Sequence, residues 1–252
     1  MRLHAIACDV LARPVYLCAA RSPHVVDLSL LPRGLHEDPR DLRTRLQAVI
    51  DGVPPGYDAI VLGYGLCGGA TAGIEARDIP VVLPRAHDCI TLFLGARERY
   101  DAETAGHGPT YWYVADQLER PYRAPGGRPD GGLGAGGDTD EDLEALRAAY
   151  VAKYGEDNAD YLMEVMGGWR AHYRRGAFIS MGVGPDAEAG AEAAAREQAE
   201  RRGWAFERVE GSLVLLRRLL DGDWDDDTLV LQPGQRLAMS YDDGVVKAVP
   251  AT

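Results

Sequence analysis

Residues 58–69 read DAIVLGYGLCGG, and the fold is decided by how this stretch is taken. Four apolar residues, Ala59 to Leu62, are followed by glycines at 63, 65, 68 and 69 with Cys67 among them. A short apolar run closed by glycine reads as a strand buried on both faces. The glycines let the backbone turn sharply and approach a bound group closely, and they set Cys67 at the rim of the turn. Twenty residues on, PVVLPRAHDCI (80–90) repeats the pattern: a strand over 79–86, then His87 and Cys89.

Outward from these two strands the chain alternates strand and helix signals. LHAIAC (3–8) and VVDLSLLP (25–32) are strands, the second stopped by Pro32. A helix follows, with Asp38 as N-cap, Pro39 at its first position and Leu42, Leu46, Val49 and Ile50 at helical spacing. Thr71 to Arg77 reads as a short helix, 90–100 as a longer one and 110–115 as a fifth strand. Such alternation implies an α/β fold with Rossmann-like βαβ units and a mostly parallel sheet. Residues 122–138 (YRAPGGRPDGGLGAGGD) hold too much Gly and Pro for a packed core and read as a linker. Beyond it, helices over 141–154 and 158–174 are parted by Gly155. Strands over 177–184, 204–211 and 228–234 then enclose helices over 186–202 and 212–220, and a hairpin turns at Asp243-Gly244. The expected organisation is two lobes. Residues 1–121 form the first α/β lobe, 122–139 the loop, and 140–252 a helical segment with the second lobe.

Composition sets outer bounds. The net charge of −12 argues against a nucleic-acid binder, which would need a basic face, and its acidic runs (138–144 and 221–227) read as solvated caps and loops. No run approaches the roughly 18 apolar residues of a membrane span. The N-terminus is too strand-like for a signal peptide, so a cytoplasmic protein is expected. Four cysteines in 252 residues do not make a disulfide framework.

In open α/β sheets, ligands bind beyond the carboxyl ends of the strands. Cys8 closes the first strand, His36 follows the second in the turn GLH, Cys67 follows the third, and His87 and Cys89 follow the fourth. Parallel strands deliver all of these to one edge. Sulfur and imidazole suit a borderline-soft metal, so zinc held by Cys8, Cys67 and Cys89 is expected, with His36 or His87 as fourth ligand or base. A [4Fe–4S] cluster is the alternative occupant. His87 and Cys89 fall at i and i+2, the same side of extended backbone. Asp88 would orient the proton-carrying His36 or His87. The glycine loop is faintly similar to phosphate-binding loops but lacks GxGxxG and a P-loop lysine. Gly65 and Gly68 remain candidates for close approach to a cofactor. Thr71 is either a plain N-cap or the start of an anion site. Arg85 pairs with an anionic substrate or with Asp88. Cys18 matches no strand end and reads as structural. Tyr111-Trp112-Tyr113 holds more aromatics than a strand needs, and core packing is the plainer reading. The polar turn KYGEDN (153–158) either covers a cleft between the lobes or is solvated surface.

The phrases YDAIVLGYGLCGG, IPVVLPRAHDC, LFLGARERY, KYGEDNADYLME and LLRRLLDGDWDDDTLVLQPG, in this order, resemble the DUF1638 family. The resemblance runs from the Cys8 segment to the closing QPG and includes positions matching Cys8, His36, Cys67, His87 and Cys89. The 122–138 insert and Cys18 look peculiar to this chain. The family has no established function; some members are encoded near corrinoid-dependent methyltransferases. The resemblance therefore implies one-carbon or thiol metabolism, a small-molecule substrate and a corrinoid protein or methyltransferase as partner. Enzyme, accessory metal or corrinoid carrier, and iron–sulfur protein all stay open at this point.

Overall fold

Parallel strands close to the amino terminus build the sheet that carries the site. The computed structural model describes residues 1–120, 147–148, 150–167, 173–240 and 244–251. Strands β1 (Arg2–Cys8), β2 (Val25–Leu31), β3 (Ala59–Gly63) and β4 (Val81–Pro84) run parallel, and β8 (Thr228–Leu231) joins β4 antiparallel. The order is β2-β1-β3-β4-β8, so the direction of strand addition reverses between β1 and β3. Such a reversal opens a crevice at the carboxyl ends of the two strands. All residues of β3 and β4 are buried, as their unbroken apolar runs require.

The helices show why each segment folds as it does. Between β1 and β2 stands α1 (Ala12–Arg21), which the sequence reading left without a helix. Pro14 sits in its first turn, where the N–H that proline lacks would have had no helical partner. The helix α2 (Pro39–Asp51) starts as expected: Asp38 accepts from Arg40 N at 2.9 Å and Asp41 N at 3.2 Å, and Leu42, Leu46 and Ile50 are buried. The helix expected over 90–100 is two, α3 (Cys89–Leu94) and α4 (Arg97–Ala105). Gly95 takes φ +81° between them, and a Cβ there would stand 2.6 Å from that of Ser212. The helix expected from Thr71 to Arg77 does not form. Its backbone pairs instead with β9 (Gln235–Met239), Gly73 N donating to Leu237 O at 2.8 Å and Leu237 N to Ile74 O at 2.7 Å. The hairpin partner of β9 is β10 (Val246–Pro250).

A second, all-parallel sheet has the order β5-β6-β7: Thr110–Tyr113, Arg175–Ser180 and Ala205–Glu210. After β5 come α5 (Ala115–Glu119) and, past residues outside those described, α6 (Glu156–Gly167). The linker expected at 122–138 lies outside the described residues. The helix α7 (Pro185–Arg201) joins β6 to β7, and α8 (Val214–Asp221) leads back to β8 in the first sheet. The last strand of the second run thus completes the first sheet. The faces of β6 divide: Ala177 and Ile179 join the main core, while Phe178 packs with Ala191, Ala195, Ala199 and Trp204. Asp116, 4% exposed, ties α5 to α1 by accepting from Arg13 N at 2.9 Å and its guanidinium at 3.0 Å. Among the described residues no helix is long and apolar enough to cross a membrane.

A candidate thiol-lined site at the strand ends

The loops after β3 and β4 are tied to each other before either meets a ligand. Leu66 N donates to Ala86 O and Cys67 N to His87 O, both at 2.8 Å. This contact explains Gly65: a Cβ there would lie 2.7 Å from Asp88 N and 2.9 Å from Ala86 O. Thr71, fully buried, donates from Oγ1 to Gly65 O at 3.1 Å and braces the same turn. Neither residue lines the cavity that Cys8, His36 and Cys89 share. Gly68, at φ +65°, is exposed with open space about its Cα. Cys67 itself has φ +49°, a left-handed conformation that a side chain adopts at a cost. Strain of this kind is held in place by surroundings and gathers at functional sites.

Cys8, Cys67 and Cys89 come from the ends of β1, β3 and β4 and share one electrostatic neighbourhood. Burial pushes the Cys8 thiol well above the ordinary range, and the nearby Asp9 and Cys67 push the same way. Burial also raises Cys67, reinforced by Cys89, and raises Cys89, reinforced by Asp88 and Cys8. Each thiol therefore holds its proton unless a cation offsets the mutual repulsion. Cys18 stands apart on the buried face of α1; burial, then Asp221, raises it to about 11.

His36 stacks on Tyr64, ring centroids 5.9 Å apart and planes 20° from parallel. Its Nε2 is buried without a hydrogen-bond partner among the described residues, and burial lowers its pKa against the opposing pull of Asp9, so the ring is neutral at pH 7. Tyr64 is 1% exposed, and its Oη is likewise buried without a partner among the described residues. Burial first, then Cys8 and Cys67, raise the phenol far above its usual value. Sequence reasoning missed Tyr64, although an aromatic between Gly63 and Gly65 at a strand end was the available signal.

A cavity of about 260 Å³ opens beside these groups. Cys8, Cys89, His36 and Arg33 line it together with Phe93 and Trp112 of β5. Tyr111 and Trp112 of β5 thus line the cavity, while Tyr113 is packed in the core as the plainer reading had it. Arg33, also missed in the sequence, donates from its backbone N to Asp9 at 2.9 Å and from its guanidinium to Gln117 O at 2.6 Å. The KYGEDN turn and the QPG loop are not among the lining residues.

Three expected participants sit elsewhere. His87 is exposed and faces a separate cleft of about 650 Å³ with Tyr100 and Arg97. The i, i+2 rule fails between His87 and Cys89 because the backbone turns helical at Cys89. Asp88 caps that helix, accepting from Ile90 N at 3.0 Å and Tyr100 Oη at 3.3 Å. Burial raises the Asp88 carboxyl, and burial with Asp88 lifts Tyr100 to about 12. Arg85 donates to Val246 O at 2.5 Å and Gly244 O at 3.1 Å, anchoring the hairpin.

For a soft cation the donor set fits by chemistry: three thiols that raise one another's pKa, and an imidazole nitrogen left without a partner. As placed, however, no three His, Cys, Asp or Glu side chains among the described residues stand together as a group able to hold a metal ion. The neighbourhood is shared; a coordination shell is not preformed.

A family model described as "Protein of unknown function (DUF1638)" matches residues 30–220, and the chain belongs to that family. The match holds His36, Cys67, His87 and Cys89 and leaves out Cys8 and the closing QPG. No curated protein and no solved structure matches the chain.

Proposed function

We propose that this DUF1638-family chain is a metal-dependent enzyme of small-molecule metabolism, its site at the strand ends of a Rossmann-like lobe that faces a second lobe. The observation that carries this reading is His36 Nε2, without a partner among the described residues, on the same largely apolar cavity as the thiols of Cys8 and Cys89, with Cys67 near enough to raise the pKa of Cys8. Cys8, Cys67 and Cys89 would hold the metal, zinc first and a [4Fe–4S] cluster as the alternative, with His36 as fourth ligand or base. When bound, such a metal supplies a Lewis acid that lowers the pKa of a coordinated thiol or water.

The chain's own groups supply the rest. Phe93, Trp112 and Ile90 keep water from the substrate and strengthen every polar contact within the cavity. His36, neutral at pH 7, can take a proton at Nε2. Arg33 brings a positive charge to the wall for an anionic substrate group. Asp88 fixes the first turn of α3 and with it Cys89, a positioning role. The family's setting suggests a methyl donor or thiol as substrate and a corrinoid protein or methyltransferase as partner, in the cytoplasm.

A second reading, a metal-free small-molecule binder, is favoured by the lack of a ready chelating group among the described residues. Titration of the reduced protein with Co²⁺ separates the two. Thiolate-to-cobalt absorption that weakens in Cys67→Ala and Cys89→Ala supports the metal reading. A folded protein that develops no such absorption leaves the metal-free binder.

A further inference from the structure

Among the described residues β2 is the outer strand of the five-stranded sheet and pairs with β1 alone. Its free side presents backbone N–H and C=O groups, a template for another strand. Chains that remain single protect such an edge with outward charge, proline or a bulge. The strand holds no proline and no bulge, and its charge is limited to Asp27, whose side chain is 44% exposed. The register with β1 is continuous from Arg2↔Val25 to Cys8↔Leu31. Asp27, the strand's one charged residue, is held by its own sheet, accepting from Tyr57 Oη at 2.6 Å and Arg2 Nη2 at 3.1 Å. No residue of β2 is fully buried, and Val25 is 60% exposed beside Met1 at 48%.

We infer that this edge pairs with β2 of a second copy of the chain, antiparallel about a twofold axis through Leu28. The occupant follows from the sequence VVDLSLL, which is complementary to itself in that register. Val25 then opposes Leu31, Val26 opposes Leu30, Leu28 meets its own copy, and Asp27 opposes Ser29. Residues directly opposite in an antiparallel pair share a face of the sheet. Ser29 Oγ lies 3.0 Å from His4 Nε2. With the His4 proton on Nε2, that hydroxyl accepts from the ring and keeps its own proton for the Asp27 carboxylate across the axis. Slipping the register by one residue sets Asp27 against Leu28 and Ser29 against Val26, and centring it on residue 27 opposes two aspartates. A twofold axis generates this contact with one surface patch, as closed dimers do.

Light scattering on the full chain is expected to give twice the 27.3 kDa of one chain. Val25→Lys changes an exposed side chain, and Ser29→Asp places a carboxylate opposite Asp27 of the second copy. Both are expected to run as single chains with cooperative unfolding intact. Leu28→Cys is expected to give a disulfide-linked pair on a non-reducing gel with oxidised glutathione, which is reduced to two glutathione thiols as the bond forms; wild type treated alike stays unlinked. A wild type that is a single chain at every concentration, a pair indifferent to both variants, or no cross-link in Leu28→Cys overturns the inference.

Discussion

Replacing Gly65 with alanine tests whether the glycine loop is shaped by packing against the β4 loop. The added methyl would sit 2.7 Å from Asp88 N, 2.8 Å from Asp88 Cα and 2.9 Å from Ala86 O, all backbone atoms that cannot swing away. Forcing such a contact costs about 1–3 kcal/mol. Parting the loops also weakens the Leu66–Ala86 and Cys67–His87 hydrogen bonds, each worth about 0.5–1.5 kcal/mol. We expect Gly65→Ala to lose about 2–5 kcal/mol. At roughly 2–4 °C per kcal/mol for a chain of this size, that lowers Tm by about 4–20 °C. Gly68→Ala is the control. No atom of the described residues lies within 4 Å of its added Cβ, so only the left-handed backbone penalty of about 1–2 kcal/mol applies. Urea unfolding of both variants decides the matter, and a Gly68→Ala loss equal to or above that of Gly65→Ala refutes the packing argument.

Three further outcomes follow from the same structure. Asp116→Ala leaves the Arg13 and Arg120 guanidinium groups without their buried acceptor and should cost about 2–4 kcal/mol in chemical denaturation, since Arg13 is partly solvated. Glu188→Ala strips the acceptor from Met181 N, Gly182 N, Val183 N and Ser180 Oγ; we expect about 2–4 kcal/mol, partly recovered by Glu188→Gln. In metal-free protein the raised thiols favour the folded state below the ordinary thiol value of 9.0, and that contribution is lost as pH rises beyond it. Unfolding free energy should therefore fall between pH 8 and pH 10.5 on the order of 1 kcal/mol per raised thiol, and less steeply in Cys67→Ala. Metal-bound thiolates reverse the sign, with stability lost on acidification instead.

Much of the first sheet was legible because its strands are apolar on both faces and its second helix is punctuated by Asp38 and Pro39. That four strand ends share one edge followed from parallel pairing; Cys8, Cys67 and Cys89 follow three of those ends and raise one another's pKa there, without standing together as a group able to hold a metal ion among the described residues. What stayed hidden depends on partners distant in sequence. Residues 71–77 have helical composition, yet their hydrogen bonds go to β9, more than 150 residues on. Asp88 reads as a candidate orienter, but the helix beginning at Cys89 claims its carboxylate and turns His87 outward. The wall contributed by Trp112 required knowing that a second sheet packs over the first. Tyr64 was masked by its glycine neighbours, which drew attention to the turn rather than to the ring.

Metal content tests the central claim most directly. Elemental analysis of protein purified without oxygen, beside Cys67→Ala and Cys89→Ala, should give about one zinc per wild-type chain and none in either variant. About four irons with labile sulfide would install the cluster in its place. A well-folded wild type free of both metals would contradict the account and return the three cysteines to the role of buried, protonated thiols.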